Sequence, residues 1–400
     1  MATVARTSPA FAFRKTTETF IAGAKTLAQR YFISAEVFAE EKRKIFARTW
    51  ICVGHQSQNA DGGDYFVQEV AGESLIILRD KSGETRAFYN VCRHRGTRLC
   101  EESSGHGAAI QCPYHAWTYG LDGRLIGAPH MDDVPGFEKS DYPLHPVKVA
   151  QWEGFIFVSL ADEPAPLEEV FSPLTGKFTH WNLPRLRAVR RIEYDVHANW
   201  KLIFQNYSEC YHCPGVHPAL SKVSPYDSAE NDLSEGPFLG GFMTIAKGKS
   251  LTMSGEACAR PVGEVKGEGD ARVFYYSIFP NMLLSLHPDY VMVHLIWPMS
   301  PDRTRIVCHW YFHPHAPGVG APCYNPDDAV AFWDMTNKQD WHVCELSQQG
   351  IASRAYQPGP YSPRESIPAA WDREYLRFMG IEGRDSSIVE SEDSTSSHAG

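Results

Sequence analysis

Cys92-Arg93-His94-Arg95-Gly96 and Cys112-Pro113-Tyr114-His115-Ala116-Trp117, with seventeen residues between His94 and Cys112, decide how this chain reads. Each run offers one thiol and one imidazole. Thiolates suit both iron–sulfur clusters and zinc, so donor type alone leaves both open. A zinc finger pairs like with like, as C-x2-4-C and H-x3-5-H. Here each loop holds one of each, so each can reach both irons of a [2Fe–2S] cluster, with the cysteines on one iron and the histidines on the other. Zinc, or two hairpins with chance Cys and His, are the competing readings. Asp122-Gly123 predicts a hairpin turn between Trp117–Tyr119 and Arg124–Ile126.

Outward from these loops the texture is β. Short β-branched or aromatic runs, Tyr65–Val70, Ser74–Leu78, Arg86–Asn90 and Gly154–Leu160, stand between glycine turns from Ile51 to about Leu160. Before them, residues 18–50 predict helix, with Val37, Phe38, Ile45, Phe46 and Trp50 on one face. After them, Glu163-Pro164-Ala165-Pro166 marks a boundary. Helix is expected at Leu167–Phe178, Trp200–His212 and Pro326–Gln349, and strands at 188–200, 273–286, 290–298 and 305–313. Ser386–Gly400, rich in serine and acid, reads as a disordered tail.

The chain's 38 basic and 48 acidic residues give a net charge of −10, which disfavours non-specific binding to nucleic acid or an anionic membrane. No apolar stretch is long enough to cross a bilayer. Met1–Thr17 lacks the apolar core of a secretory signal, so a cytoplasmic location is expected, with a transit peptide as the alternative. Ten cysteines are too few for a disulfide scaffold in 400 residues, and Cys92, Cys112, Cys210 and Cys213 lie beside histidines, which reads as metal chemistry. Cys210 and Cys213 themselves are expected to be buried, inert thiols.

A second cluster lies in Trp200–His217. On an unbroken helix His212 and His217 would be rotated by about 140°, poor for sharing a metal. Pro214-Gly215 between them is expected to break the helix and swing His217 back. The zinc-protease motif H-E-x-x-H is absent here. Two histidines want a carboxylate to complete a facial triad for non-haem Fe(II).

The C-R-H-R-G and C-P-Y-H-x-W runs together resemble the Rieske domain of the Rieske non-haem iron oxygenases, and the likeness extends over the rest of the chain. That resemblance implies an α+β fold: an all-β Rieske [2Fe–2S] domain (46–160) inserted ahead of a helix-grip, START-like catalytic domain with an antiparallel sheet (161–385). Residues 1–45 would form a helical segment packed on the catalytic domain, and 386–400 the tail. Cys92, His94, Cys112 and His115 would hold the cluster, and His212, His217 and Asp340 a mononuclear Fe(II). Asp340 is chosen because Gln339-Asp340 through Gln348-Gln349-Gly350 resembles the family's late helix, with Glu345 and Asp334 as competitors.

Glu209 stands where most members have an aspartate that bridges the two metal sites across a subunit boundary. Glu209-Cys210-Tyr211-His212 resembles the branch of carnitine oxygenase, stachydrine demethylase and the choline and glycine betaine monooxygenases. A helix-capping glutamate is the competing reading.

The chain shows no G-x-G-x-x-G after a strand and no plant-type ferredoxin run, so electrons from NAD(P)H must come through a separate flavin or iron–sulfur reductase. The resemblance implies O2 activation and oxidation of a small organic substrate, in a homotrimer. A quaternary ammonium would be held by aromatic faces, and Tyr276, Tyr290, His294 and Trp297 are the candidates. An aromatic-ring dihydroxylating or O-demethylating oxygenase would instead use an apolar slot of Phe279, Met282, Leu283 and Leu284. A non-catalytic Rieske electron carrier is the alternative of another class, and a structural zinc protein a third.

Overall fold

Leu75-Ile76-Ile77-Leu78 is buried along its whole length, within the strand Glu73–Arg79. Successive strand side chains point to opposite faces, and here the two faces join different cores. Leu75 and Ile77 belong to the large core shared with the second half of the chain. Ile76 and Leu78 belong to a small separate core with Cys92, Cys112, Trp117 and Tyr119. A continuous apolar run is what a strand covered on both sides requires. The computed structural model describes residues 12–264, 271–314 and 324–381, and the expected tail 386–400 lies outside them.

This strand sits in a seven-stranded sheet in the order Ile51–His55, Phe155–Ser159, Pro146–Trp152, Thr85–Tyr89, Glu73–Arg79, Asp64–Val70, Ser104–His106. A three-stranded sheet of Ile110–Gln111, Thr118–Tyr119 and Leu125–Gly127 completes the β domain. Its Asp122-Gly123 turn has Gly123 at φ +84°, where a Cβ would also lie 2.4 Å from the Phe88 ring, so only glycine fits.

The second half is an eight-stranded antiparallel sheet in the order Arg14–Lys15, Glu230–Leu233, Phe238–Thr244, Arg272–Ile278, Met282–Leu286, Val291–Ser300, Arg303–Phe312, Arg187–Val196. Helices Trp200–Tyr207, Pro326–Ile351 and Ser366–Met379 cover one face. The β domain stands against the other. Val291–Ser300 shows the division, because Met292 and His294 line a cavity on the helix side while Leu295 and Trp297 line a cleft shared with the β domain. The two domains are riveted by Asn281, whose amide donates to the Cys52 carbonyl (2.8 Å) and accepts from the Cys52 N–H (2.9 Å).

The N-terminal segment is tied to the helices by a buried charge. Glu41 and Lys201 are 1% and 0% exposed, their ion pair is 2.5 Å, and Trp200 Nε1 and the Tyr375 hydroxyl also donate to Glu41. Those extra donors are what a buried pair needs to offset its desolvation.

Three helix expectations are corrected. Residues 18–50 are not one helix but short turns at Thr16–Glu18, Arg30–Ile33 and Ala35–Glu41, followed by a π-helical turn Lys42–Phe46. Ser34 caps the third by accepting the Val37 N–H (3.2 Å), which separates it from the second. Leu167–Phe178 is helical only at Leu167–Val170, with Pro173 starting a 3-10 turn. The helix from Trp200 ends at Tyr207, where the Ser208 hydroxyl bonds back to the Phe204 carbonyl (2.6 Å), so the break precedes Pro214. Pro214 instead opens a new turn, Cys213–Val216, a position where its missing N–H costs nothing. The last helix, Ser366–Met379, was not expected from the sequence.

Candidate metal centres

The two loops at the tip of the β domain are built alike despite their different sequences. The Cys92 N–H donates to the Thr97 carbonyl and the Gly96 N–H to the Cys92 carbonyl, at 2.8 and 3.0 Å. Cys112 to Trp117 and Ala116 to Cys112 repeat the pattern at 2.8 and 3.1 Å. In both, the fourth residue after the cysteine has positive φ, +76° for Gly96 and +57° for Ala116. This turn buries each cysteine and leaves each histidine exposed. The His94 and His115 rings stand 4.7 Å apart, and His94 stacks on Trp117 at 4.8 Å.

Burial pushes the Cys92 thiol up, and Cys112 beside it adds to the rise, while the Tyr119 hydroxyl at 3.4 Å pulls the other way. Burial holds His94 below its usual value, helped by His115 and Arg95. Two thiols buried together and two imidazoles beside them fit a metal cluster.

The second centre draws on two distant segments. His217 Nε2 lies 2.8 Å from Asp340 Oδ1, His212 Nε2 lies 3.2 Å from the same oxygen, and the two Nε2 atoms are 3.2 Å apart. Donors bound at about 2.1 Å and at right angles lie about 3 Å apart, so these three fit one face of a metal's coordination shell. Each histidine is aimed by a second partner. Glu209 Oε1 takes the His212 Nδ1 proton at 2.5 Å, and Gln339 Oε1 takes that of His217 at 2.8 Å. Gln339 had no role in the sequence analysis, and its place beside Asp340 was the available signal.

Burial depresses His212, yet the Asp340 and Glu209 carboxylates outweigh it and raise the group to about 10. Asp340 is held below the usual carboxylate range, against the effect of its burial, by the two imidazoles. Two carboxylates converging on two imidazoles call for a cation, and a divalent metal ion answers that better than a proton. Glu209 also accepts the backbone N–H of Tyr211 and, at 3.3 Å, of His212, so it caps the turn as well.

The competitors are engaged elsewhere. Asp334 accepts from Tyr194 and Lys338, and Glu345 from the His197 N–H. Cys210 and Cys213 are corrected: they form a disulfide, because the turn that bonds the Cys213 N–H to the Cys210 carbonyl brings their Cα atoms to 4.9 Å. Cys213 Sγ, 3.9 Å from His212 Nε2, is therefore no thiolate ligand.

A cavity of about 70 Å³ adjoins this centre, walled by Tyr207, Tyr275, His294, Trp333, Trp341 and Met292. Of the expected pocket residues only His294 reaches it. Burial lowers His294 to about 4, so it is neutral, and its Nε2 lies 3.2 Å from Asn337. Tyr276 points to the opposite side of its strand from Tyr275 and donates to Asp232. Tyr290 donates to the Leu251 carbonyl, and Trp297 faces the β domain. Phe279, Met282, Leu283 and Leu284 are buried away from the cavity.

With this geometry in hand, comparisons with known proteins are decisive. Residues 49–138 match the Rieske [2Fe–2S] domain, and 183–381 match the catalytic domain of ring-hydroxylating alpha subunits. The glycine betaine monooxygenase oxygenase subunit of Chromohalobacter salexigens is 32% identical over 85% of this chain and 82% of its own length.

The chain belongs to the Rieske ring-hydroxylating oxygenases.

The Escherichia coli carnitine monooxygenase oxygenase subunit is 30% identical over 83% of this oxygenase and 85% of its own length. The crystal structure of the quaternary ammonium Rieske monooxygenase CntA superposes with a TM-score of 0.77 at 27% identity, covering 92% of this chain and all of its own. Naphthalene 1,2-dioxygenase from Rhodococcus shares the fold, with a TM-score of 0.72 at 20% identity. The oxygenase is thus an enzyme with a Rieske cluster and a mononuclear iron, and the electron-carrier and zinc readings fall. As an oxygenase component it takes electrons from a separate reductase and acts with O2 on an organic substrate. None of its described helices is long and apolar enough to cross a membrane.

Proposed function

We propose that this oxygenase oxidises a C–H bond of a small quaternary ammonium compound, by N-demethylation or hydroxylation. The observation that carries the reading is the cavity beside His212, His217 and Asp340. Its walls carry aromatic rings packed on one another: Tyr207 and Tyr275 at 6.0 Å, Tyr275 and Trp333 at 6.4 Å, His294 and Trp341 at 5.9 Å. Each face that a desolvated cation meets contributes about 0.5–2 kcal/mol. Names of relatives support the same class, since they act on glycine betaine and carnitine.

In this reading Cys92 and Cys112 hold one iron of the cluster and His94 and His115 the other, while His212, His217 and Asp340 hold the mononuclear iron. Iron bound there, with electrons from the cluster, supplies the activation of O2. The protein's own part is positioning and charge. Glu209 and Gln339 keep the Nδ1 protons of His212 and His217 turned away from the metal side. Asp340 and Glu209 balance the charge of a divalent iron, so a cationic substrate head enters a site with no net repulsion.

The domain boundaries read in the sequence, 46–160 and 161–385 with 1–45 packed on the latter, belong to the same proposal, as does a cytoplasmic location. Electrons would come from an NAD(P)H-dependent flavin or iron–sulfur reductase. A head-to-tail homotrimer is the assembly that suits the surface. Glu209 and His212 are among the residues that line a groove of about 640 Å³. His94, His115 and Tyr114 stand exposed at the domain tip, so one copy's tip can seat in the next copy's groove.

The test is a single turnover of chemically reduced holoenzyme with O2 and either quaternary ammonium or aromatic probes. Product is expected from the ammonium set only. Turnover of an aromatic ring, with none of the ammonium compounds, would sink the reading.

A further inference from the structure

The cavity at the iron is the inner end of a longer passage. A second cavity of about 280 Å³ shares Tyr207, Glu209, Cys210, Met243 and Tyr275 with it and runs outward to the surface. The two ends differ in chemistry. The inner end is aromatic and carries two carboxylates. The outer end carries two cations, Arg364, which follows Pro363 in the turn Pro363–Glu365, and Lys15 on the edge strand, beside one exposed carboxylate, Asp227.

Arg364 is half-buried, its guanidinium lies 5.0 Å over the Tyr226 ring, and it makes no ion pair among the described residues. A guanidinium held over a ring spends none of its N–H donors there, which suits it to a carboxylate. The turn is itself held, since Ser362 accepts the Arg364 N–H and Glu365 accepts the Ser362 N–H, at 3.3 and 2.7 Å.

We propose that Arg364 forms a distal subsite for a carboxylate, so that the substrate is a zwitterion lying along the passage, ammonium at the iron and carboxylate outward. This rests on the quaternary ammonium reading above and narrows it to the betaine class. The polarity of the passage orients the molecule. A reversed substrate would bring its carboxylate to Asp340 and Glu209 and its cation to Arg364 and Lys15, which Asp227 alone does not offset. Arg364 is thus a specificity-determining residue, remote from the reacting methyl group, and Lys15 adds positive potential at the mouth.

Calorimetric titration of the metal-loaded enzyme with three probes tests this: glycine betaine, γ-trimethylammonio-butyrate, and choline, which has no carboxylate. In Arg364→Met, with cluster absorption intact, at least one of the two carboxylate probes is expected to bind about ten- to a hundredfold more weakly, as for loss of a charged hydrogen bond, and choline within twofold of wild type. Arg364→Lys should recover part of the loss. Equal weakening of all three would make Arg364 structural and overturn the proposal, and so would unchanged binding of both carboxylate probes. Wild-type enzyme that binds choline alone would remove the carboxylate subsite while keeping the ammonium reading. Wild-type enzyme that binds none of the three would remove the ammonium reading itself.

Discussion

The two metal centres are assembled by opposite means. The pair of loops at the β-domain tip is local: each closes on itself through backbone bonds four and five residues long, and each presents its histidine to the outside. The centre in the second domain is global. His217 and Asp340 are 123 positions apart, one buried and one half-buried, with side chains 2% and 15% exposed. Its donors also depend on each other, since His212 is raised and Asp340 lowered by their mutual charge. A local site tolerates change elsewhere in the chain, whereas a global one records the packing of every element that carries a ligand.

The largest effect should come from removing one ligand at each centre. Cys112→Ser is expected to abolish the visible cluster spectrum while the mononuclear iron content stays near one per chain. Asp340→Ala should do the reverse, with the spectrum intact and both iron at that site and turnover lost. Metal analysis beside absorption spectra checks both, and loss of both metals in either variant would break the claim that the centres are independent.

A smaller effect is expected at the residue that belongs to both readings of the second centre. Glu209→Gln should keep both metals and cut single-turnover cluster reoxidation by about 10–100-fold, as for other residues that orient a metal-bound histidine. Glu209→Asp should keep part of the rate. Because Glu209 also caps the turn, a thermal melt of each variant separates the two roles. A wild-type reoxidation rate in Glu209→Gln with a lowered Tm would leave only the cap.

The mildest prediction concerns the packing behind the global site. Asp372, on the last helix, accepts from Gln205 on the helix that leads to Glu209 and from Tyr361, at 2.7 Å each. Burial pushes its carboxyl up to about 7, against these two bonds. A folded value above the unfolded one means the contribution is fully present below about pH 4 and is lost as pH rises through 7. Asp372→Asn should remove that slope, leaving stability near wild type at pH 5 and raising it at pH 8, on the order of 1–3 kcal/mol. Chemical denaturation at the two pH values checks it, and an unchanged slope would place the pH dependence elsewhere.

Much of this was legible beforehand where neighbours in sequence are neighbours in space. The Asp122-Gly123 turn and the strands around it follow from residue types within a few positions of each other. Arg272–Ile278 and Val291–Ser300 were legible as strands but not as two faces with different duties, so Tyr276 and Trp297 were expected in a cavity that Tyr275 and His294 line. A one-residue error of parity reverses the face. The disulfide was missed because two cysteines three apart can stay thiols or join, and only the turn at Cys210–Cys213 brings their Cα atoms to 4.9 Å.

By itself the sequence determined the cluster loops, the order of the two domains and the residue types of both centres, because a loop of five residues carries its own geometry. Only the tertiary structure decided which acid meets His212 and His217, that Gln339 aims one of them, and which aromatic rings face the iron side. Those outcomes depend on how a helix at 326–351 lies across a sheet built from residues before it. That placement is the sum of many weak packing contacts spread over the whole chain, and no single stretch encodes it.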